Sequence, residues 1–194
     1  MRLQEKNLVM VELSDLIKVY ENSLDEETCN KLIYNFEKLE DKQERVENDR
    51  KPNFTQINLT ELSKENEELN NLHQLLIKKT FEYKKDYYKF VDERCFPREH
   101  AFEQFRIKRY INNGNDAFDC HVDVMDHPSA RRFLAFLWYL NDVDNGGETV
   151  FDGIVIKPQV GKLVVFPPMW MFPHIGNPPV SNNKYILSTY LHYK

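Results

Sequence analysis

Around Cys95-Phe96-Pro97 the apolar pattern of this chain changes period, and that change limits its possible folds more than any other feature. Before it, Cys29, Leu32, Ile33, Phe36 and Leu39 recur at helical spacing, as do Leu69, Leu72, Leu76 and Phe81. After it come short runs of branched and aromatic residues. Asn113-Gly114, Asp144 to Gly147, Asp152-Gly153 and Asn182-Asn183 separate those runs, which is the punctuation of strands and tight turns. Strands are expected over residues 101–111, 118–124, 133–140, 149–151, 154–156, 163–166 and 184–193. Many short strands that follow helices, rather than alternate with them, make an α+β chain, mainly β, closed as a sandwich or barrel.

The first half reads as support for that core. Strands are expected over residues 8–13 and 16–20, then a helix from Glu26 to about Leu39 with Ser23 as its N-cap. Asp41 to Pro52 is charged, free of glycine and without periodicity, so it is expected as a surface loop before a short strand at 54–59. One long helix is predicted from Ser63 to roughly Val91, with Lys78, Lys79, Lys84, Lys85 and Lys89 on its solvated faces. A length of 194 residues suits one domain, with residues 1–97 supplying N-terminal strands and supporting helices and 98–194 the β core.

Charge and cysteine usage narrow the function classes. A net charge of -5 argues against a phosphate-seeking surface, so no nucleic-acid partner is expected. Cys29, Cys95 and Cys120 are odd in number and lack C-x-x-C spacing, which points to a reducing compartment rather than a disulfide framework. The N-terminus has no signal-peptide pattern and no run reaches 18 apolar residues, so a cytoplasmic protein without a membrane partner is expected.

The chemistry concentrates in FDCHVDV, residues 118–124. Its alternation puts His121 and Asp123 on one face, an imidazole beside a carboxylate. Those are two-thirds of a 2-His-1-carboxylate facial triad, which holds Fe(II) and leaves one face open. Alone the pair is weak, since H-x-D arises by chance in about one chain in three of this composition. Downstream, His174 lies in an apolar segment bounded by Pro and Gly, and Lys184 opens an otherwise apolar strand, where a cation calls for a buried anion as partner. His73, His100, His127 and His192 lack a partnered pattern and are not expected to bind iron. Cys120 should face away from the metal, and Trp138, Trp170 and Phe172 are expected in the core.

Taken in order, Tyr110, the H-x-D pair, RRFLAFLWYLNDVDNGGETVF, GKLVVFPP, His174 and Lys184 closely resemble the prolyl 4-hydroxylase-like branch of the Fe(II)/2-oxoglutarate-dependent oxygenases. The likeness is dense over residues 102–193 and looser over 19–38. It implies a double-stranded β-helix, or jelly roll, with N-terminal supporting helices. It also implies Fe(II) on His121, Asp123 and His174, with 2-oxoglutarate and O2 as co-substrates and ascorbate as reductant. Lys184 would pair with the distal carboxylate of 2-oxoglutarate, and Tyr110 and Thr149 would donate hydrogen bonds to it. Arg132 matches a position associated with peptide contact, and Phe118 one where an aromatic stands near the iron. Two positions depart from the pattern: Tyr190 replaces a common Trp, and Ala135 a common Thr.

The implied activity is a dioxygenase that couples decarboxylation of 2-oxoglutarate, to succinate and CO2, with hydroxylation of a C–H bond. A prolyl residue in a peptide or protein leads as substrate. Alternatives are a free amino acid or other small molecule, and a jelly-roll binding module without catalysis. Nucleic-acid dealkylases of the wider superfamily hold the distal carboxylate with Arg, which ranks a nucleobase behind these. Asp41 to Pro52 and Asn112 to Ala117 are candidate segments for closing over the substrate. The pattern leaves oligomeric state open.

Overall fold

The computed structural model describes residues 12–48, 52–89, 94 and 96–194. After a 3-10 turn at Leu13–Leu16 come β1 (Lys18–Tyr20), α1 (Glu26–Lys38), β2 (Glu44–Val46), β3 (Phe54–Asn58), α2 (Leu59–Leu62) and α3 (Glu67–Tyr87). The β core follows as β4 (His100–Phe102), β5 (Arg106–Tyr110), β6 (Phe118–His121), β7 (Arg132–Tyr139), β8 (Thr149–Phe151), β9 (Ile154–Ile156), β10 (Leu163–Phe166), β11 (His174–Gly176) and β12 (Lys184–Tyr193). One sheet runs β1-β10-β7-β12-β5-β3-β2, with β4 also on β12, and the other runs β6-β11-β8-β9. All of these pairings are antiparallel.

The large sheet is covered on both faces, which explains why β7 reads as an unbroken apolar run instead of an alternating one. Leu134, Phe136 and Trp138 join a core with Leu32 and Phe36 of α1 and Leu69, Leu72 and Leu76 of α3. Ala135 and Tyr139 face the other way, with Phe151 and Ile156 of the small sheet. The same division sorts β5 and β12. Ile107 and Leu187 go to the helices, whereas Tyr110 and Ile186 enter the space between the sheets. That inter-sheet space holds the polar residues described below.

Local chemistry sets the helix ends. Asp25, not Ser23, caps α1, its carboxylate accepting from the Thr28 amide at 2.7 Å and the Thr28 hydroxyl at 3.0 Å. Ser23 is buried, and its hydroxyl donates to the Gly161 carbonyl at 2.7 Å. The helix expected from Ser63 starts at Glu67, and a separate turn, α2, precedes it. Asn58 caps α2, which ends at Ser63, and Asn66 caps α3, its carboxamide taking the Leu69 amide that a helix continuous from Ser63 would have used. α3 stops at Tyr87, and residues 90–93 lie outside the described residues.

Three strand expectations also change. The 41–52 run contains β2, which pairs with β3 through Glu44↔Gln56 to Val46↔Phe54. The 101–111 strand breaks between Phe102 and Arg106, because its halves pair with different stretches of β12 and the Phe105 amide turns to the Thr60 hydroxyl at 2.8 Å. Of the expected 8–13 strand, residues 8–11 lie outside the described residues, and Leu13 begins the 3-10 turn. No helix among the described residues is long and apolar enough to cross a membrane.

Candidate metal and co-substrate site

β6 and β11 lie side by side in the small sheet with His121 directly opposite His174. The strand ends at His121, earlier than expected, and Asp123 follows in a bend tied down by the Val124 amide on the Pro168 carbonyl at 3.1 Å. The bend keeps both side chains on one side. Nε2 of His121 is 3.6 Å from one Asp123 oxygen, and Nε2 of His174 is 3.9 Å from the other. Ligand atoms of the three residues lie within 4.8 Å of one another, close enough to share one metal ion.

The residues fit a metal in a second respect. Nδ1 of His121 donates to the Asp119 carbonyl at 2.7 Å, and Nδ1 of His174 to the Phe172 carbonyl at 3.1 Å. With the ring proton held there, the Nε2 lone pair of each imidazole is directed at the shared point. Burial pushes Asp123 up, but contact with His121 and the nearby His174 and Lys108 outweigh it, so the carboxyl stays below its usual range and ionised. Burial lowers His174, against the opposing pull of Asp123, so it favours the neutral imidazole that a metal requires. Phe118 stacks on His121 with ring centres 3.5 Å apart and fixes its plane.

Behind this cluster lies a tight cavity of about 60 Å³, with Lys184, Tyr110 and Thr149 among its lining residues. Lys184 and Tyr110 are cross-strand partners on β12 and β5, the ammonium 4.6 Å from the phenol ring centre. Lys184 is 2% exposed and, among the described residues, donates only to the Gly147 carbonyl at 3.0 Å and, more weakly, the Asn177 carbonyl at 3.5 Å. Burial pushes it down to about 7, with distant Glu148 opposing. The Thr149 hydroxyl accepts from the Tyr139 hydroxyl at 2.6 Å, which leaves its own proton to point elsewhere. Cation and hydroxyls therefore form an anion-accepting end to the cavity.

On its other side the cluster opens into a cleft of about 990 Å³. His121, Asp123, Phe118, Lys108, Ser188 and Tyr190 line both spaces, so the cluster stands at the neck between them with His174 on its inner side. Arg132 lines the cleft, but its fork is already engaged. It holds Glu103 at 2.8 and 2.9 Å, donates to the Asp123 carbonyl at 2.8 Å and lies 4.2 Å from the Tyr190 ring centre. That geometry steadies Asp123. Glu103 was invisible in the residue pattern, and so was Lys108, although the alternation through Arg106, Lys108 and Tyr110 places it on the pocket side of β5.

Elsewhere the expectations divide. Trp138 and Phe172 are buried, but Trp170 is 76% exposed, because the proline-bounded segment after β10 has no layer above it. Cys120 faces outward. His73 is held between the Thr60 and Ser63 hydroxyls. The Asn112–Ala117 turn is pinned, since fully buried Asp116 accepts a two-pronged contact from Arg45 at 2.9 and 3.0 Å and another from the Ile111 amide.

Residues 105–192 match the family model of the 2OG-Fe(II) oxygenase superfamily. A probable prolyl 4-hydroxylase 9 of Arabidopsis thaliana is 31% identical over 40% of this chain, a match that spans about a third, 34%, of the plant protein's length. Among solved structures, a prolyl-4-hydroxylase from Pseudomonas putida aligns over 94% of this chain and 97% of its own, with a TM-score of 0.70 and 14% identity. A Trichoplax adhaerens prolyl hydroxylase, in complex with a hypoxia inducible factor peptide fragment, aligns over 91% and 83%, with a TM-score of 0.65 and 13% identity. The small and large sheets are thus the two halves of a double-stranded β-helix. Residues 105–192 carry the pattern of the 2OG-Fe(II) oxygenase superfamily, on a fold shared with these prolyl hydroxylases.

Proposed function

We propose that this protein is an Fe(II)/2-oxoglutarate-dependent dioxygenase that hydroxylates a C–H bond, foremost on a prolyl residue of a peptide or protein. One observation carries the reading: a buried cation without an anionic partner ends a narrow cavity whose neck is a His-Asp-His cluster. When bound there, iron with 2-oxoglutarate and O2 supplies oxidative decarboxylation to succinate and CO2 together with hydroxylation of the substrate. His121, Asp123 and His174 hold the metal. Lys184 and the Tyr110 and Thr149 hydroxyls bind the distal carboxylate, selecting its charge and its distance from the neck. Phe118 and Tyr190 narrow the neck and limit water there. Ascorbate is the reductant we infer for the metal, and a reducing cytoplasm suits the free thiols of Cys29 and Cys120.

A prolyl substrate is favoured by the Arabidopsis and Pseudomonas relatives, and a peptide by the Trichoplax complex and the open cleft before the neck. The test is an anaerobic titration of the purified protein with Fe(II) and 2-oxoglutarate, read by the charge-transfer absorption of the chelate. Succinate release in air with proline peptides follows. A chelate band and peptide-stimulated succinate, with one oxygen atom added to the peptide, are expected. No band at saturating iron and 2-oxoglutarate would leave a jelly-roll binding protein.

A further inference from the structure

The inner face of β5 presents Arg106, Lys108 and Tyr110 in succession, each about 7 Å from the next. Tyr110 reaches the co-substrate end, Lys108 lines cavity and cleft alike, and Arg106 lines the cleft alone. The outer face shows how this protein neutralises a cation, for Nη1 of Arg109 donates to both Glu37 oxygens at 2.8 and 2.9 Å. Lys108 has no such partner. Among the described residues its ammonium makes no ion pair or hydrogen bond, and its contact is the Phe54 ring, 5.1 Å from the centre.

Nor is a carboxylate in the cleft free to serve it. Glu103 is taken by Arg132, Glu44 accepts from the Gln56 amide, Asp126 is bonded to Ser129, and Asp123 belongs to the metal cluster. Arg106 donates to the neutral Gln104 oxygen. A half-desolvated ammonium at the neck, with a guanidinium beside it and only the metal cluster's Asp123 as a nearby opposite charge, is costly unless an anion arrives with the ligand. Burial accordingly pushes Lys108 down to about 8. Lys184 already provides for the co-substrate, so this second anion site faces whatever occupies the cleft.

Resting on the oxygenase reading above, we propose that Lys108, with Arg106 beside it, recognises a carboxylate of the substrate next to the carbon presented to His121, Asp123 and His174. The carboxylate can be the α-carboxylate of a free amino acid or the side chain of an acidic residue flanking the target in a peptide. Lys108 is in this view a specificity-determining residue.

The test uses matched probes on protein loaded anaerobically with Fe(II) and 2-oxoglutarate: proline against prolinamide, and acetyl-Glu-Pro-Gly-amide against acetyl-Gln-Pro-Gly-amide. Binding is read by calorimetry and by perturbation of the chelate band. At least one acid should bind roughly 10- to 100-fold more tightly than its neutral partner, as expected for a partly desolvated charge pair. Lys108→Met should abolish the preference and Lys108→Arg retain it, and the pair that shows it identifies the source of the carboxylate. Binding of neither acid, equal binding of acid and amide, or a preference intact in Lys108→Met overturns the proposal. So does a Lys108→Met protein that loses the chelate band, since Lys108 would then serve Asp123 instead. Absence of the band in the unmodified protein overturns the oxygenase reading and this inference together, whereas a band without acid preference overturns this inference alone.

Discussion

Replacing Lys184 with Met should make the free protein more stable and its 2-oxoglutarate binding much weaker, and the two effects have one cause. A lysine pushed from 10.5 to about 7 by burial carries a penalty on the order of 5 kcal/mol when charged. Because its pKa is lower folded than unfolded, the unfolded chain holds the proton more firmly. The penalty is therefore complete below pH 7, shrinks as pH rises through the interval between about 7 and 10.5, and vanishes above it. Lys184→Met should unfold at higher urea than the unmodified protein below pH 7, with the gap closing at alkaline pH. In the complex the sign reverses. Truncating one member of a buried, hydrogen-bonded charge pair costs about 3 kcal/mol, roughly 150-fold in 2-oxoglutarate concentration at half-saturation of the chelate band. Since the dianion draws a proton back onto Lys184, its affinity for the unmodified protein should also fall above pH 7. An unchanged half-saturation point in Lys184→Met, or a variant less stable than the parent below pH 7, would refute the reasoning.

Three further outcomes follow from contacts around the site. Arg132→Met should lower stability by about 2 kcal/mol in urea denaturation, because it leaves the part-buried Glu103 without its fork. It should also weaken Fe(II) binding through the lost contact to the Asp123 carbonyl, and normal iron affinity would refute that positioning role. Asp116→Ala should cost about 3 kcal/mol, since it strands Arg45 and the Ile111 amide beneath the 112–117 turn; a loss below 1 kcal/mol would refute the pin. Cys29 is pushed up to about 12 by burial, so iodoacetamide should label Cys120 in the folded protein and Cys29 only after denaturation, as read by peptide mass mapping.

How far the fold could be read depends on where each signal resides. Turn residues mark strand ends even where burial on both faces removes alternation, and β8, β9, β10 and β12 begin and end where those residues predict. β11 lacked such a signal, being three residues between Pro173 and Asn177 that pair with strands distant in sequence. The late start of α3 rests on Asn66, a cap inside the run expected to be helical from Ser63, and α2 carried no periodic signal of its own. At the site, spacing placed His121 beside Asp123, and family pattern added His174 and Lys184. The partners that orient them are backbone carbonyls of Asp119, Phe172 and Gly147, and no side-chain pattern can show those.

Register connects residues that appeared separate along the chain. Lys184 faces Tyr110, Ile186 faces Lys108, and Ser188 faces Arg106, so β12 and β5 run together from the co-substrate end to the cleft. The neck stays open where small residues stand, Ser188 from β12 and Ala135 from β7. The two departures from the family pattern meet there, since Tyr190 and Ala135 are direct partners across β12 and β7. A smaller aromatic opposite a smaller aliphatic residue enlarges the same space twice, while Tyr190 brings a hydroxyl that burial and the charge of Asp123 hold firmly protonated. That hydroxyl is directed at the Asp123 carboxylate, under the Arg132 fork, and helps to place it. Both departures therefore reshape the neck beside Asp123 and Lys108.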